Sequence, residues 1–215
     1  PESISQHLYM KSGIEAMRHL FTVGAGLDSI VVGEQQIHHQ VKHAYSLASG
    51  MGTTGPILNK LFHRCFRAGK RSRAETKIGE GSASVASCAA DLLLSLHPHI
   101  QDAGILIIGA GTMARAVVQN LRAAGARRIT IANRTQARAR ELADQCGCAV
   151  APLGNIEALL RRTDAVLCAT GSPAALLTKD MLEAASAGRT APLTCIDIAL
   201  PRNIDPNAAA VPGIT

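Results

Sequence analysis

Apolar residues recur every three or four positions along the first part of the chain, which is the pattern of amphipathic helices. Glycine-containing stretches separate these segments and predict loops between them. Ser12 followed by Glu15 predicts a capping box at the start of the first helix. The helices predicted in this part cover residues 12–23, 34–49, 57–73 and 82–96.

From residue 104 onward, short apolar runs alternate with further helical patterns. Such runs are typical of strands that are buried on both faces in a parallel sheet. The alternation predicts an α/β fold with a doubly wound parallel sheet. The predicted strands cover residues 104–108, 128–132, 149–150, 165–169 and 193–198. The helices between them cover residues 113–124, 135–145, 154–162 and 178–187.

Composition divides the 215-residue chain near residues 79–81. The three Phe and two Tyr all precede Arg67, so the later core must consist of Ala, Val, Ile and Leu. Residues 1–79 hold ten Lys and Arg against five Asp and Glu, and six of the eight His. A basic front part favours an anionic partner such as nucleic acid. No apolar run is long enough to predict a membrane span.

A glycine-rich motif follows the first predicted strand directly and opens a helix. It comprises Gly109, Ala110, Gly111, Thr112, Met113 and Ala114. The first glycine allows a tight turn, the second lets backbone N–H groups approach a pyrophosphate, and the alanine is small enough for helix–strand packing. The helix N-terminus also favours an anion. Because strand, motif, helix and strand follow in this order, we predict a dinucleotide site of the Rossmann type.

The second predicted strand ends in Asn133, Arg134 and Thr135. NAD sites usually place Asp or Glu at this point, on the ribose 2′-hydroxyl. An arginine can instead pair with a 2′-phosphate, in a charge-assisted contact worth roughly 1.5–3 kcal/mol. We therefore predict NADP(H), with the alternative that Arg134 is only a surface residue of a tight turn. Thr170, at the tip of a later strand, is expected to line the same crevice.

The helix over 57–73 carries Lys60, Arg64, Arg67 and Arg71 at spacings of four, three and four residues, which places them on one face. Two interpretations stay open, a solvated face or a series of contacts to nucleic-acid phosphates. In the preceding helix His39 and His43 stand one turn apart, but two histidines without a third ligand are weak evidence for a metal site.

Four ordered segments carry a family resemblance. They are HLFTVGAGLDSIVVGEQQIHHQVKHA (19–44), KRSRAETKIGEGSASVAS (70–87), GAGTMA with ANRT (109–135) and DIALPRNIDP (197–206). Together they resemble the glutamyl-tRNA reductase family over nearly the whole chain. The resemblance implies an oxidoreductase that uses NADPH to reduce glutamyl-tRNA to glutamate-1-semialdehyde through a cysteinyl thioester. This is the first step of 5-aminolevulinate, tetrapyrrole and porphyrin biosynthesis.

Position by position, the resemblance implies two groups of site residues in the front part. His19 matches the family's activity-critical histidine near the nucleophilic thiol. The residues that match or stand among those holding the glutamyl group are Ser29, Glu34, Gln35, Gln36 and Gln40. The implied domains are the C-terminal part of a catalytic domain (1–79), a long linking (spinal) helix (80–101) and an NADPH-binding Rossmann-type domain (102–215).

The resemblance also implies partners and a location. The partners are glutamyl-tRNA, a second copy of the chain in a homodimer, and the downstream glutamate-1-semialdehyde aminomutase. The location is the cytoplasm, or the plastid stroma in a plant or alga. The six cysteines form no C-x-x-C framework, which favours a reducing compartment.

Three departures from the family pattern qualify these expectations. The family's nucleophile belongs to a Thr-Cys-Asn-Arg motif that we expect upstream of Pro1, and none of the six cysteines matches it. The chain stops before the expected dimerisation domain. His38 and His39 replace a usual Leu-Gly pair. We therefore expect this chain, as a fragment, to lack reductase activity.

Two other functions remain as alternatives. One is a non-catalytic module that binds tRNA or another partner, suggested by the basic helix over 57–73. The other is an NADP reductase similar to shikimate dehydrogenase, which shares the glycine motif and the Asn-Arg-Thr segment. The second alternative does not explain the polar cluster over residues 29–40.

Overall fold

A computed structural model describes residues 5, 8–29, 31–78 and 84–215. They belong to two compact units, which divide between Ser84 and Val85. The front unit is helical, and the back unit is built on a parallel sheet. Every predicted helix and strand is present within the described residues, with ends that differ by a few positions.

The front unit contains three helices among its described residues: α1 (Gly13–Gly24), α2 (Gln35–Gly50) and α3 (Pro56–Glu75). The predicted capping box at the start of α1 is wrong. Ser12 does occupy the N-cap position, but its side chain makes no capping hydrogen bond. Glu15 is instead held by the Lys11 ammonium at 2.7 Å, a charge-assisted contact one helical turn away.

Helices α1 and α3 approach closely because small residues meet between them. A Cβ atom on Gly69 would overlap the carbonyl oxygen of Gly24 and lie 3.0 Å from the His38 ring. That carbonyl also lies 2.9 Å from His38 Nδ1, and the Cys65 thiol donates to the Leu20 carbonyl at 3.3 Å. The glycine in the middle of α3, a residue that weakens a helix, is thus required by packing.

The back unit is a five-stranded sheet in the order β3-β2-β1-β4-β5, and all neighbouring strands are parallel. Its strands are β1 (Gly104–Ile108), β2 (Arg128–Asn133), β3 (Ala149–Pro152), β4 (Ala165–Cys168) and β5 (Thr194–Asp197). Strand β1 lies in the middle. The chain therefore winds outward from it in both directions.

Helices cover both faces of the sheet. They are α4 (Val85–Leu96), α5 (Thr112–Ala123), α6 (Gln136–Cys146), α7 (Ile156–Leu160) and α8 (Lys179–Ser186), with short 3₁₀ helices at Leu153–Asn155 and Pro206–Ala210. Ile105 and Ile107 belong to the core on the side of α4, α5 and α6. Leu106 and Ile108 belong to the core on the side of α7 and α8. The predicted doubly wound α/β architecture is confirmed.

The linking helix implied over 80–101 corresponds to α4 within the described residues, and its role as a link between domains stays a prediction. Residues 79–83 lie outside the described part of the chain, and α4 ends at Leu96 because the following His97-Pro98 pair disfavours helix. The apolar face of α4 is buried in the core of the back unit through Ala86, Ala89, Ala90 and Leu93. No helix in the described residues is long and apolar enough to cross a membrane.

We predict that Gly69→Ala destabilises the front unit by about 1–3 kcal/mol, because the added methyl group overlaps backbone and an imidazole ring. Gly50→Ala is the matched control, since a Cβ there meets nothing within 4 Å. Urea unfolding followed by tyrosine fluorescence reports on this unit, because both tyrosines, Tyr9 and Tyr45, lie in it and the chain has no Trp. Equal stability of the two variants would contradict the packing argument.

Candidate functional site

A crevice of about 320 Å³ opens beyond the carboxyl ends of β1 and β4. The sheet order reverses at this point, and ligands of doubly wound folds bind there. The walls come from the glycine turn after β1, the end of β2 and the loop after β4. The predicted site residues that line the crevice are Gly109, Ala110, Gly111, Asn133, Arg134, Thr135 and Thr170.

The glycine turn has the geometry that the motif requires. Gly109 has a φ of +119°, and a Cβ there would overlap the carbonyl oxygen of Ala169 at the end of β4. Gly111 is the N-cap of α5, and a Cβ on it would meet no protein atom within 4 Å. That open space is where a bound pyrophosphate would approach the backbone.

The other three residues of the motif do not line the crevice. Ala114 is fully buried in the core under α5, as expected for a helix–sheet contact. Met113 is half-buried and packs against the same core, and Thr112 is exposed at the first position of α5. Their contribution is to position the turn.

Two arginines stand at the far end of the crevice. Arg134 follows β2, and Arg138 lies on the first turn of α6. The Asn133 side chain donates to the Thr135 carbonyl at 3.0 Å and fixes the turn between them. Arg138 was not among the predicted site residues. Its spacing of four residues from Arg134 was the available signal, because such a spacing brings side chains together at a helix start.

A partly buried polar network holds the loop after β4, which forms the third wall of the crevice. The Asp197 carboxylate accepts hydrogen bonds from the backbone N–H groups of Ala199, Asn203 and Ile204 at 2.7–3.0 Å. Asn203 is fully buried, and its Oδ1 accepts from the Thr170 hydroxyl at 2.5 Å. This network was not predicted from the sequence, and it fixes the side chain of Thr170 at the tip of β4.

In the front unit, His19 on α1 stands between two polar side chains. Its Nε2 lies 2.6 Å from the Tyr9 hydroxyl, and its Nδ1 lies 3.8 Å from the Asp28 carboxylate. The three residues, with Met10 and Lys11, line a shallow pocket. Tyr9 and Asp28 were not predicted as site residues, because neither is one helical turn from His19 in the sequence.

The predicted glutamyl cluster is brought together only in part. Glu34 is 6% exposed, and its carboxylate accepts from the Ser29 hydroxyl at 3.2 Å. Gln35, Gln36 and Gln40 are exposed on α2. A nearly buried carboxylate with a hydroxyl partner suits recognition of an ammonium group.

Burial acts against thiol reactivity at four of the cysteines. None of the six forms a disulfide, and Cys65 and Cys168 are buried. Burial raises the thiol pKa of Cys65, Cys148 and Cys168, and it raises that of Cys195 to about 12. A raised pKa disfavours the thiolate, which is the nucleophile. Within the described residues no group of three His, Cys, Asp or Glu could hold a metal ion.

Comparison with known proteins gives a match for each unit. The family model described as "Glutamyl-tRNAGlu reductase, N-terminal domain" matches residues 1–76, and that of "Shikimate / quinate 5-dehydrogenase" matches residues 91–215. The glutamyl-tRNA reductase of Rubrobacter xylanophilus is 43% identical over 99% of this chain and 50% of its own length. A glutamyl-tRNA reductase of Thermus thermophilus is 42% identical over 97% of this chain and 53% of its own length.

Among solved structures, glutamyl-tRNA reductase from Methanopyrus kandleri aligns with a TM-score of 0.58 and 38% identity. The alignment covers 96% of this chain and 52% of that one. The chain therefore spans about half the length of these relatives.

The sheet order, the glycine turn and the crevice define a dinucleotide-binding α/β domain of the Rossmann type. The front unit and the matches over the whole chain narrow this class of protein to one family. The chain belongs to the glutamyl-tRNA reductase family.

We predict that Gly111→Ala leaves stability within about 0.5 kcal/mol, because the added Cβ meets no protein atom. The same change should weaken dinucleotide binding at least about tenfold, because the methyl group occupies the approach to the pyrophosphate. Isothermal titration with NADPH, together with thermal unfolding, checks both parts. Gly154→Ala, also in open space but outside the crevice, is the control. Unchanged NADPH affinity in Gly111→Ala would show that the crevice is not the cofactor site.

Proposed function

We propose that this chain is part of an NADPH-dependent glutamyl-tRNA reductase. The reaction would reduce glutamyl-tRNA to glutamate-1-semialdehyde, the first step of 5-aminolevulinate and tetrapyrrole biosynthesis. The observation that carries the proposal is that one chain joins a unit similar to the reductase N-terminal domain with a dinucleotide crevice. A shikimate-type dehydrogenase accounts for the back unit only.

The residues of the crevice fit a nicotinamide dinucleotide. The close approach at Gly109 and the open space at Gly111 suit a pyrophosphate at the start of α5. The Thr170 hydroxyl, fixed by Asn203, stands at the tip of the neighbouring strand. When bound, NADPH supplies the hydride for the reduction.

The choice of NADPH over NADH rests on two exposed cations. Arg134 and Arg138 both line the end of the crevice where the second strand stops. No acidic residue is among the side chains lining the crevice in the described structure, so no carboxylate favours a free ribose 2′-hydroxyl there. Two guanidinium groups instead suit a 2′-phosphate.

The front unit would hold and activate the glutamyl group. Ser29 and Glu34, which are hydrogen-bonded to each other, would form the core of its binding site, and Gln35, Gln36 and Gln40 lie on the adjoining helix. His19 would act beside the reacting ester. Tyr9 and Asp28 would orient its ring, because each stands near one of its two nitrogens.

The nucleophilic cysteine of the thioester mechanism is proposed to lie outside these 215 residues. Burial disfavours the thiolate of Cys65, Cys148, Cys168 and Cys195, and no cysteine lines the His19 pocket in the described structure. The 215-residue chain would then bind its ligands without turning them over. The proposal extends to a homodimer, to transfer of the semialdehyde to an aminomutase, and to a cytoplasmic or stromal location.

We predict that the chain binds NADPH at least about tenfold more tightly than NADH, because each charge-assisted contact to the 2′-phosphate adds roughly 1.5–3 kcal/mol. Arg134→Ala and Arg138→Ala should each reduce this preference, and the double variant should abolish it. Arg140→Ala removes an equal charge from the same helix outside the crevice and should have no effect. Titration of both nucleotides into each variant checks this, and equal affinities in the unmodified chain would overturn the NADPH assignment.

We predict that neutral His19 carries its proton on Nδ1, because Asp28 faces that nitrogen and the Tyr9 hydroxyl can then donate to Nε2. ¹⁵N NMR of the imidazole distinguishes the tautomers. Tyr9→Phe should shift the balance towards Nε2–H. Tyr45→Phe is the control, since that hydroxyl lies 3.3 Å from Nε2 of His63 instead. A His19 spectrum that does not respond to Tyr9→Phe would refute the orienting contact.

A further inference from the structure

A second concave surface lies in the front unit and shares no lining residue with the His19 pocket. It is a groove of about 800 Å³ between α2 and α3, here called the α2–α3 groove. On the α2 side its lining begins at Gln35, next to the buried Glu34, and ends at Ser49. At the 1.5 Å rise per residue of an α-helix this wall is about 21 Å long. The groove is thus long enough for a chain-like ligand.

The groove is strongly basic. Lys42 lines one wall, and Arg67, Lys70 and Arg73 line the other. No acidic residue lines it within the described part of the chain, and none of these four cations forms an ion pair there. The basic stripe predicted from the sequence is therefore divided, because Arg67 lines the groove whereas Lys60, Arg64 and Arg71 do not.

One of these cations has a hydrogen-bond donor without an acceptor in the described structure. Nη1 of Arg73 is buried and has no hydrogen-bond partner in the described structure. A buried donor on a charged group without an acceptor is costly, and native proteins rarely leave one unpaired. Because Arg73 lines the groove, an anionic oxygen bound there is a suitable acceptor.

Aromatic rings also line the groove. The rings of Tyr45 and Phe66 meet edge to face, with their centroids 5.6 Å apart. Phe62, which does not line the groove, stacks on the Tyr45 ring with a centroid distance of 4.9 Å. His63 adds a further exposed ring. Cations that follow a backbone, combined with aromatic rings on which bases stack, are the composition of single-strand nucleic-acid sites.

We propose that the α2–α3 groove binds a single-stranded RNA end, with phosphates on Lys42, Arg67, Lys70 and Arg73 and a base against the Tyr45–Phe66 rings. The inference rests on the proposed function, whose substrate carries its amino acid at an RNA terminus. The groove begins one residue from Glu34, so the strand would lead away from the proposed glutamyl site along α2.

The test measures RNA binding to the 215-residue chain by fluorescence anisotropy at several salt concentrations. The probe is a labelled RNA hairpin with a short single-stranded 3′ extension, compared with the same hairpin lacking the extension. Arg67→Ala/Lys70→Ala removes two groove cations. Lys60→Ala/Arg64→Ala is the matched control, since it removes two cations from the same helix outside the groove.

The extended hairpin should bind more tightly than the blunt one. The groove variant should lose at least about tenfold in affinity and lower the salt slope by about 1.4, at ~0.7 per phosphate contact of a single strand. The control variant should keep most of both. Equal losses in the two variants, or equal binding of the two hairpins, would overturn the proposal in favour of diffuse charge.

Two further measurements keep the outcome decisive. Lys42→Ala changes the opposite wall and should lower the slope by about 0.7, so the test survives if the double variant fails to fold. NADPH titration of the same samples separates the two proposals. Normal NADPH binding without groove-dependent RNA binding refutes the groove alone, whereas groove-dependent RNA binding without NADPH preference refutes the cofactor assignment alone.

Discussion

The position of β1 between two parallel neighbours is the constraint on which the back unit depends. Because β2 and β4 pair with it on opposite sides, the chain leaves β1 in one direction and returns on the other. The turn after β1 must then pass the end of β4, and it does so at Gly109, where any side chain would strike the Ala169 carbonyl. The crevice, the exposed start of α5 and the two arginines after β2 all follow from this arrangement.

The front unit depends on a different contact. Its described apolar residues are mostly half-buried or exposed, and only Ala25 and Cys65 among them are classed as buried. The close approach of α1 and α3 at Gly24 and Gly69 therefore contributes much of its packing. Most of the polar groups that the proposals invoke in this unit are half-buried or exposed, where ligands can reach them, whereas Glu34 and Nη1 of Arg73 are buried.

Local sequence signals predicted most of the back unit, because strands, turns and the glycine motif each depend on neighbouring residues. The same signals missed groups that only tertiary structure brings together. Tyr9 reaches His19 from outside α1, and Asp197 binds backbone groups six and seven residues later, in a loop folded back on the sheet. The capping box failed for a local reason, because Lys11, four residues before Glu15, competes for the Glu15 carboxylate. Periodicity describes one helix or strand at a time, whereas Tyr9 and the loop bound by Asp197 lie outside any helix or strand.

The thiols and the cations of the two units differ in where they lie. Burial raises the pKa of four of the six thiols, two of them fully buried and two partly buried, and this disfavours the nucleophilic thiolate. The cations, in contrast to these thiols, lie on the surface. Arg134 and Arg138 edge the crevice and Lys42 and Lys70 edge the groove, all four with exposed side chains. Thiols that are disfavoured as nucleophiles and cations that are exposed agree with the two proposals, in which the back unit binds a dinucleotide and the front unit binds a polynucleotide.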